Sequence, residues 1–108
     1  MTAPELTKEQ RLENLEKAKR MRKARAKIRE KLADGTYSVA DVIGFASDAD
    51  HAAYGMRVKQ MINALPGYGF SRTQQTMASL GIAENKRIGG LGRKQAQALI
   101  AKLDGVTA

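Results

Sequence analysis

From Lys8 to Ala33 the chain runs for 26 residues without a glycine or a proline, and most of those residues are Ala, Leu, Glu, Lys, Arg, Gln or Met. These are the strongest helix formers, and a helix of that length is about 39 Å long at 1.5 Å per residue. Thr7 and Gln10 have the spacing of a capping box at its start, and Asp34-Gly35 supplies a stop. The apolar positions Leu12, Leu15, Met21, Ala24, Ile28 and Leu32 keep 3 and 4 spacing, but the stripe is thin between residues 16 and 26. Only the last two turns are expected to dock on a core. The basic stretch before them is expected to project, and to fray without a ligand, because isolated helices are marginal in water.

The same stretch carries Lys17, Lys19, Arg20, Arg22, Lys23, Arg25, Lys27 and Arg29 with no acid between them. Such a run attracts polyanions more readily than it serves as an inert solvated face. The layout of the formal +8 charge says more than its total: residues 1–32 carry a net +6, residues 33–51 a net −4, and residues 52–108 a net +6. Two separate basic blocks result. A membrane-surface role for the helix ranks low, because no Trp or Phe lies on its apolar positions.

Several chemistries are excluded by what is missing. There is no cysteine, hence no disulfide, zinc–thiolate site or thiol nucleophile, and His51 is the sole histidine. No catalytic residue, metal site or cofactor is expected, and a chain of 108 residues buries too little surface for a large cofactor pocket. The N-terminus lacks the apolar run of a signal peptide and no stretch approaches membrane-spanning length. A cytoplasmic protein is expected.

The remaining chain reads as short helices. Ser38 and Asp41 form a second capping box, opening a helix with Val39, Val42, Ile43 and Ala46 inward. A polar turn over 47–54 follows. Met56, Val58, Met61, Ile62 and Leu65 then mark a helix over 55–64, ended by Pro66. Further helices are expected over 72–80, closed by Gly81, and over 93–103, closed by Gly105. No alternation of strand period persists, so the fold class is all-α. We divide the chain into a basic N-terminal helix, 1–33, and a compact body, 34–108.

Within the body, Leu65-Pro66-Gly67-Tyr68-Gly69 is echoed 23 residues later by Ile88-Gly89-Gly90-Leu91-Gly92. Both read apolar, x, Gly, apolar, Gly, and each launches a helix. The apolar residues can plug a small core, while the glycines leave amides bare at a helix N-terminus, where the macrodipole favours an anion. This is the physics of helix-hairpin-helix and helix-two-turns-helix binders, which hold the sugar–phosphate backbone without reading bases. Arg72 flanks the first turn; Lys86 and Arg87 precede the second, and Arg93 and Lys94 follow it. Tyr68 and Phe70 read as turn plugs more than as wedges between base pairs. His51 reads as solvated, the methionines as core filler, and Asp34, Asp41, Asp48 and Asp50 as caps and turns.

The order of "LTKEQR", a basic helix, "GMRVKQMINALPGYG", "LGI", "KRIGGLG" and a last helix resembles, over nearly the whole chain, the actinobacterial integration host factor family of nucleoid proteins. That family is unrelated in fold to the β-ribbon integration host factor of proteobacteria. The resemblance implies a monomer with a long N-terminal helix and a helix-two-turns-helix body. It implies binding to double-stranded DNA with little sequence preference, bending or looping, a nucleoid location and, in some members, assistance to a phage integrase on DNA. Carried over by position, the gripping turn falls on Pro66, Gly67, Tyr68 and Gly69, and the basic patch on Lys86, Arg87, Gly90, Leu91 and Gly92. Arg72, Arg93 and Lys94, with Lys19, Arg20, Arg22, Lys23, Arg25 and Lys27 of the helix, complete the expected surface. Members usually carry a basic residue where this chain has Phe70 and an arginine where it has Gly89. Each departure removes a phosphate contact, with Arg93 and Lys94 as the compensating charges. The alternative is an RNA-binding or ribosome-associated basic helical protein, although no interleaved aromatics offer stacking for single strands.

Overall fold

The structure, a computed structural model, describes residues 7–105. Residues 1–6, assigned above to the N-terminal helix segment, and 106–108 lie outside the described residues. Five α-helices follow in order: α1 (Lys8–Ala33), α2 (Val39–Phe45), α3 (Val58–Asn63), α4 (Phe70–Ser79) and α5 (Arg93–Leu103), with one 3-10 turn (Ile88–Gly90) before α5. Among the described residues there is no strand, only an isolated antiparallel bridge between Arg57 and Arg87. The all-α expectation holds.

α1 begins where local chemistry dictates. Thr7 accepts from the Gln10 amide at 3.1 Å, and the Gln10 side chain accepts from the Thr7 amide at 2.9 Å, which satisfies two of the amides a helix start leaves orphaned. At its far end the amide of Thr36 donates to Asp34 at 2.8 Å. Hydrogen bonds from the Thr36 side chain and backbone hold the Asp34 carboxyl below its ordinary range. Leu12 and Leu15 remain 58% and 59% exposed, whereas Ile28 and Leu32 are buried. The last two turns dock as expected, but docking begins earlier, with Met21 packed against the core and Arg25 bonded to Ala52 O; the first half overhangs the body, so the molecule extends 53 Å along its longest axis.

α1 packs on α3, α3 on α4, and α2 on α5. Their apolar faces meet in one core that includes Ile28, Leu32, Val39, Val42, Met56, Met61, Ile62, Met77, Ile88 and Leu99. The capping box of α2 is made: Ser38 accepts from the Asp41 amide and Asp41 from the Ser38 amide, both at 3.0 Å. A tie that sequence reading missed completes this helix start. Asp104, the C-cap of α5, accepts from the amides of Val39 at 2.8 Å and Ala40 at 3.0 Å, and its charge also suits the positive end of α2.

Three expectations need correction. α3 starts at Val58 and not at residue 55, because the preceding backbone is claimed by a distant segment: Val58 N–H donates to Lys86 O, Ile88 N–H to Met56 O and Gly89 N–H to Tyr54 O, at 2.8 to 3.0 Å. α4 starts at Phe70, two residues early, with Gly69 as N-cap. His51 is only partly exposed. Its ring stacks on Phe45 with centroids 5.0 Å apart, and its Nδ1 accepts from the Ala53 amide at 3.1 Å. It therefore organises the turn over 47–54 instead of being solvated.

Candidate nucleic-acid interface

The first glycine turn is built around a left-handed residue. Gly67 has φ of 80°, a conformation that L side chains rarely adopt, and Tyr68 N–H closes the turn on Leu65 O at 3.2 Å. Gly69 then opens α4 without a side-chain cap. The first amides of that helix, Phe70, Ser71 and Arg72, have no intrahelical acceptor, so three N–H donors lie at the positive end of the helix. Arg72 is folded back over this corner: its guanidinium donates to Gly67 O at 3.2 Å and lies 4.3 Å from the Tyr68 ring centroid. A cation so held loses little further freedom on meeting an anion. Tyr68 is half-buried against the core, as a plug should be. Phe70 is not a plug, because at the first position of α4 its side chain is 70% exposed.

The second turn is not a copy of the first. Gly89 N–H donates to Tyr54 O, Gly90 N–H to Arg87 O, Leu91 N–H to Ile88 O, and Gly92 N–H to Gln95 Oε1, at 2.9 to 3.2 Å. The expected bare amides at Gly90, Leu91 and Gly92 are thus already engaged, and none of the turn's glycines has positive φ. The free donors move to the first turn of α5, the amides of Arg93, Lys94 and Gln95. Arg93 and Lys94 are exposed there. Leu91 is a plug, half-buried against the core.

Gly89 has a steric reason to be glycine. A β-carbon at this position would lie 2.7 Å from Cγ of Tyr54 and closer still to the ring edge. The ring would have to swing away about χ1. Gly89→Ala is therefore expected to cost about 1–2 kcal/mol of stability, and almost nothing in a Tyr54→Ala background. A double-mutant cycle by urea unfolding reads the coupling; additive losses would separate the two residues.

The basic run of α1 is divided by helix geometry into two flanks. Arg22, Arg25 and Arg29 share one. Arg25 Nε donates to Ala52 O at 3.1 Å, and this flank faces Gly55, Arg57 and Arg87 of the body across a cleft. Arg87 reaches the same place by donating through Nη1 to the Gly55 carbonyl oxygen. Lys19, Arg20, Lys23 and Lys27 occupy the other flank and are all exposed, with Lys27 bordering a groove beside Tyr37, Phe45 and His51. Arg57 was not among the residues expected from sequence, and Arg29 was named there only as the last member of the basic run. The spacing of Arg22, Arg25 and Arg29 was visible there, whereas the approach of Arg57 depends on the bridge to Arg87.

Residues 32–103 match the family of S13-like H2TH domains. The chain is 38% identical to the integration host factor of Mycolicibacterium smegmatis over 104 residues, covering 96% of this chain and 98% of that one. The chain belongs to the integration host factor family. The Streptomyces coelicolor member is likewise 38% identical over 92% of each chain. A solved structure of sIHF bound to an 8-bp palindromic DNA superposes with a TM-score of 0.78 at 34% identity, covering 82% of this chain and 98% of that one. The actinobacterial resemblance is thereby borne out. Among the described residues, no helix is long and apolar enough to cross a membrane and no group of His, Cys, Asp or Glu could hold a metal ion.

Proposed function

We propose that this chain is a non-enzymatic architectural protein that binds double-stranded DNA with little sequence preference, grips it by phosphates across the minor groove, and bends or loops it. A cytoplasmic location on the nucleoid, a monomeric state and help to a phage integrase on DNA go with this reading. The observation that carries it is the corner over 66–72, where free amides at the start of α4 stand beside an arginine already clamped over Tyr68. Its physics asks for a backbone phosphate. The family's sIHF was solved with DNA bound. The RNA reading is not favoured, because its competitor has relatives named integration host factor across almost the whole chain.

The proposed division of labour has the body, 34–108, gripping one duplex through Pro66, Gly67, Gly69, Arg72, Lys86, Arg87, Arg93 and Lys94. The helix, 1–33, extends the contact. Titration of the labelled protein with an unmodified duplex tests this reading. The amides of Gly67, of 69–72 and of 93–95 are expected to shift most, and those of 89–92 less, since their hydrogens are already bonded within the protein. Unmoved signals over 66–72 would overturn the proposed grip.

A further inference from the structure

Between the arginine flank of α1 and the body lies a cleft of about 350 Å³ whose lining holds five arginines, Arg22, Arg25, Arg29, Arg57 and Arg87, and no carboxylate. Each arginine carries a planar, delocalised positive charge. Like charges brought together in one partly enclosed space repel. The fold nevertheless spends specific contacts on gathering them: Ala52 O anchors Arg25, Gly55 O anchors Arg87, and the bridge between residues 57 and 87 sets the last two side by side. Gly55 leaves the room this requires, since a β-carbon there would lie 2.7 Å from Arg25 Nη2. Groups held so close, on three separate segments, form a built receptor for negative charge.

Guanidinium geometry narrows the ligand. Each planar fork matches a pair of oxygens on one tetrahedral phosphate, and several forks converging suit two phosphates better than one. We propose that the cleft is a binding site for paired phosphates, distinct from the corner over 66–72, and that its occupant pins the end of α1 to the body. Two sources supply that chemistry: consecutive phosphates of a nucleic-acid backbone, or a free pyrophosphate group. Either would replace five-fold repulsion by charge-assisted hydrogen bonds across the α1–body junction.

Pyrophosphate binding that depends on the cleft arginines tests the site without DNA, so its failure and that of the duplex reading are separable. Sodium pyrophosphate is titrated into the full chain, with sodium chloride at matched ionic strength as reference. Binding is read by calorimetry and by the melting temperature, which a ligand of the native state raises. A saturable rise is expected with pyrophosphate and not with chloride. Arg57→Gln and Arg29→Gln should each weaken pyrophosphate binding about tenfold, the loss expected for one charge-assisted contact. Lys102→Gln, outside the cleft and outside both helix starts, should leave it unchanged. A duplex added to the loaded protein separates the sources: displacement of pyrophosphate assigns the cleft to the DNA backbone, and retention assigns it to a free anion. A response that chloride reproduces, or that survives both cleft substitutions, overturns the proposal.

Discussion

Raising monovalent salt from about 50 to 300 mM is expected to weaken binding to a mixed-sequence duplex by about four to five orders of magnitude, through a log–log slope of about −5 to −7. The slope follows from about 6 to 8 neutralised phosphates, each releasing condensed counterion at about 0.9 per contact. The cations to supply them are on the surface: Arg72, Arg87, Arg93 and Lys94 on the body, and Lys19, Arg20, Lys23 and Lys27 on α1 are all exposed. The slope counts phosphate contacts, and sequence preference is read separately by comparing unrelated duplexes. Fluorescence anisotropy at five or six salt concentrations gives the slope directly, and the same slope on unrelated duplexes is expected, because the free donors of both helix starts are main-chain amides, which meet phosphate oxygens. Affinity that changes less than about tenfold over that range would leave room for no more than one or two phosphate contacts.

What the sequence disclosed of this fold follows the range of the interactions involved. The starts of α1 and α2 rest on partners three residues apart, Thr7 with Gln10 and Ser38 with Asp41, and such spacing is visible in a linear chain. The start of α3 was misplaced because residues 54 to 58 are bonded to residues 86 to 89, about thirty positions away. The Asp104 cap on α2 joins residues 64 and 65 apart. Neither leaves a local pattern. The two glycine turns show the same limit more sharply: the strings LPGYG and IGGLG match letter class by letter class, yet one needs a left-handed Gly67 and the other needs a glycine under the Tyr54 ring. Motif likeness located both corners but put bare amides in both turns, whereas those of Gly90, Leu91 and Gly92 are engaged.

The sign of the charge run was equally plain, but its division into two flanks matters more for mechanism. A quadruple variant, Lys19→Gln, Arg20→Gln, Lys23→Gln and Lys27→Gln, clears the flank that faces away from the arginine cleft. Glutamine keeps high helix propensity, and all four positions are exposed, so the melting temperature should change little. The capping box at Thr7 and the buried Ile28 and Leu32 remain in place; a truncation reaching residue 28 would instead cut into the core. If this flank holds a second duplex, or a second stretch of the same one, the salt slope should fall by up to about 3.6, at 0.9 for each lost contact. Loops of long duplex seen by force microscopy should then disappear while binding to a short duplex persists. The outcomes discriminate between geometries. A reduced slope with loops intact would mean that both flanks of α1 grip the duplex already held by the body, so that curvature comes from a single continuous surface. An unchanged slope would mean that the flank is only a solvated face, and bridging would have to arise from the arginine cleft together with the glycine corners.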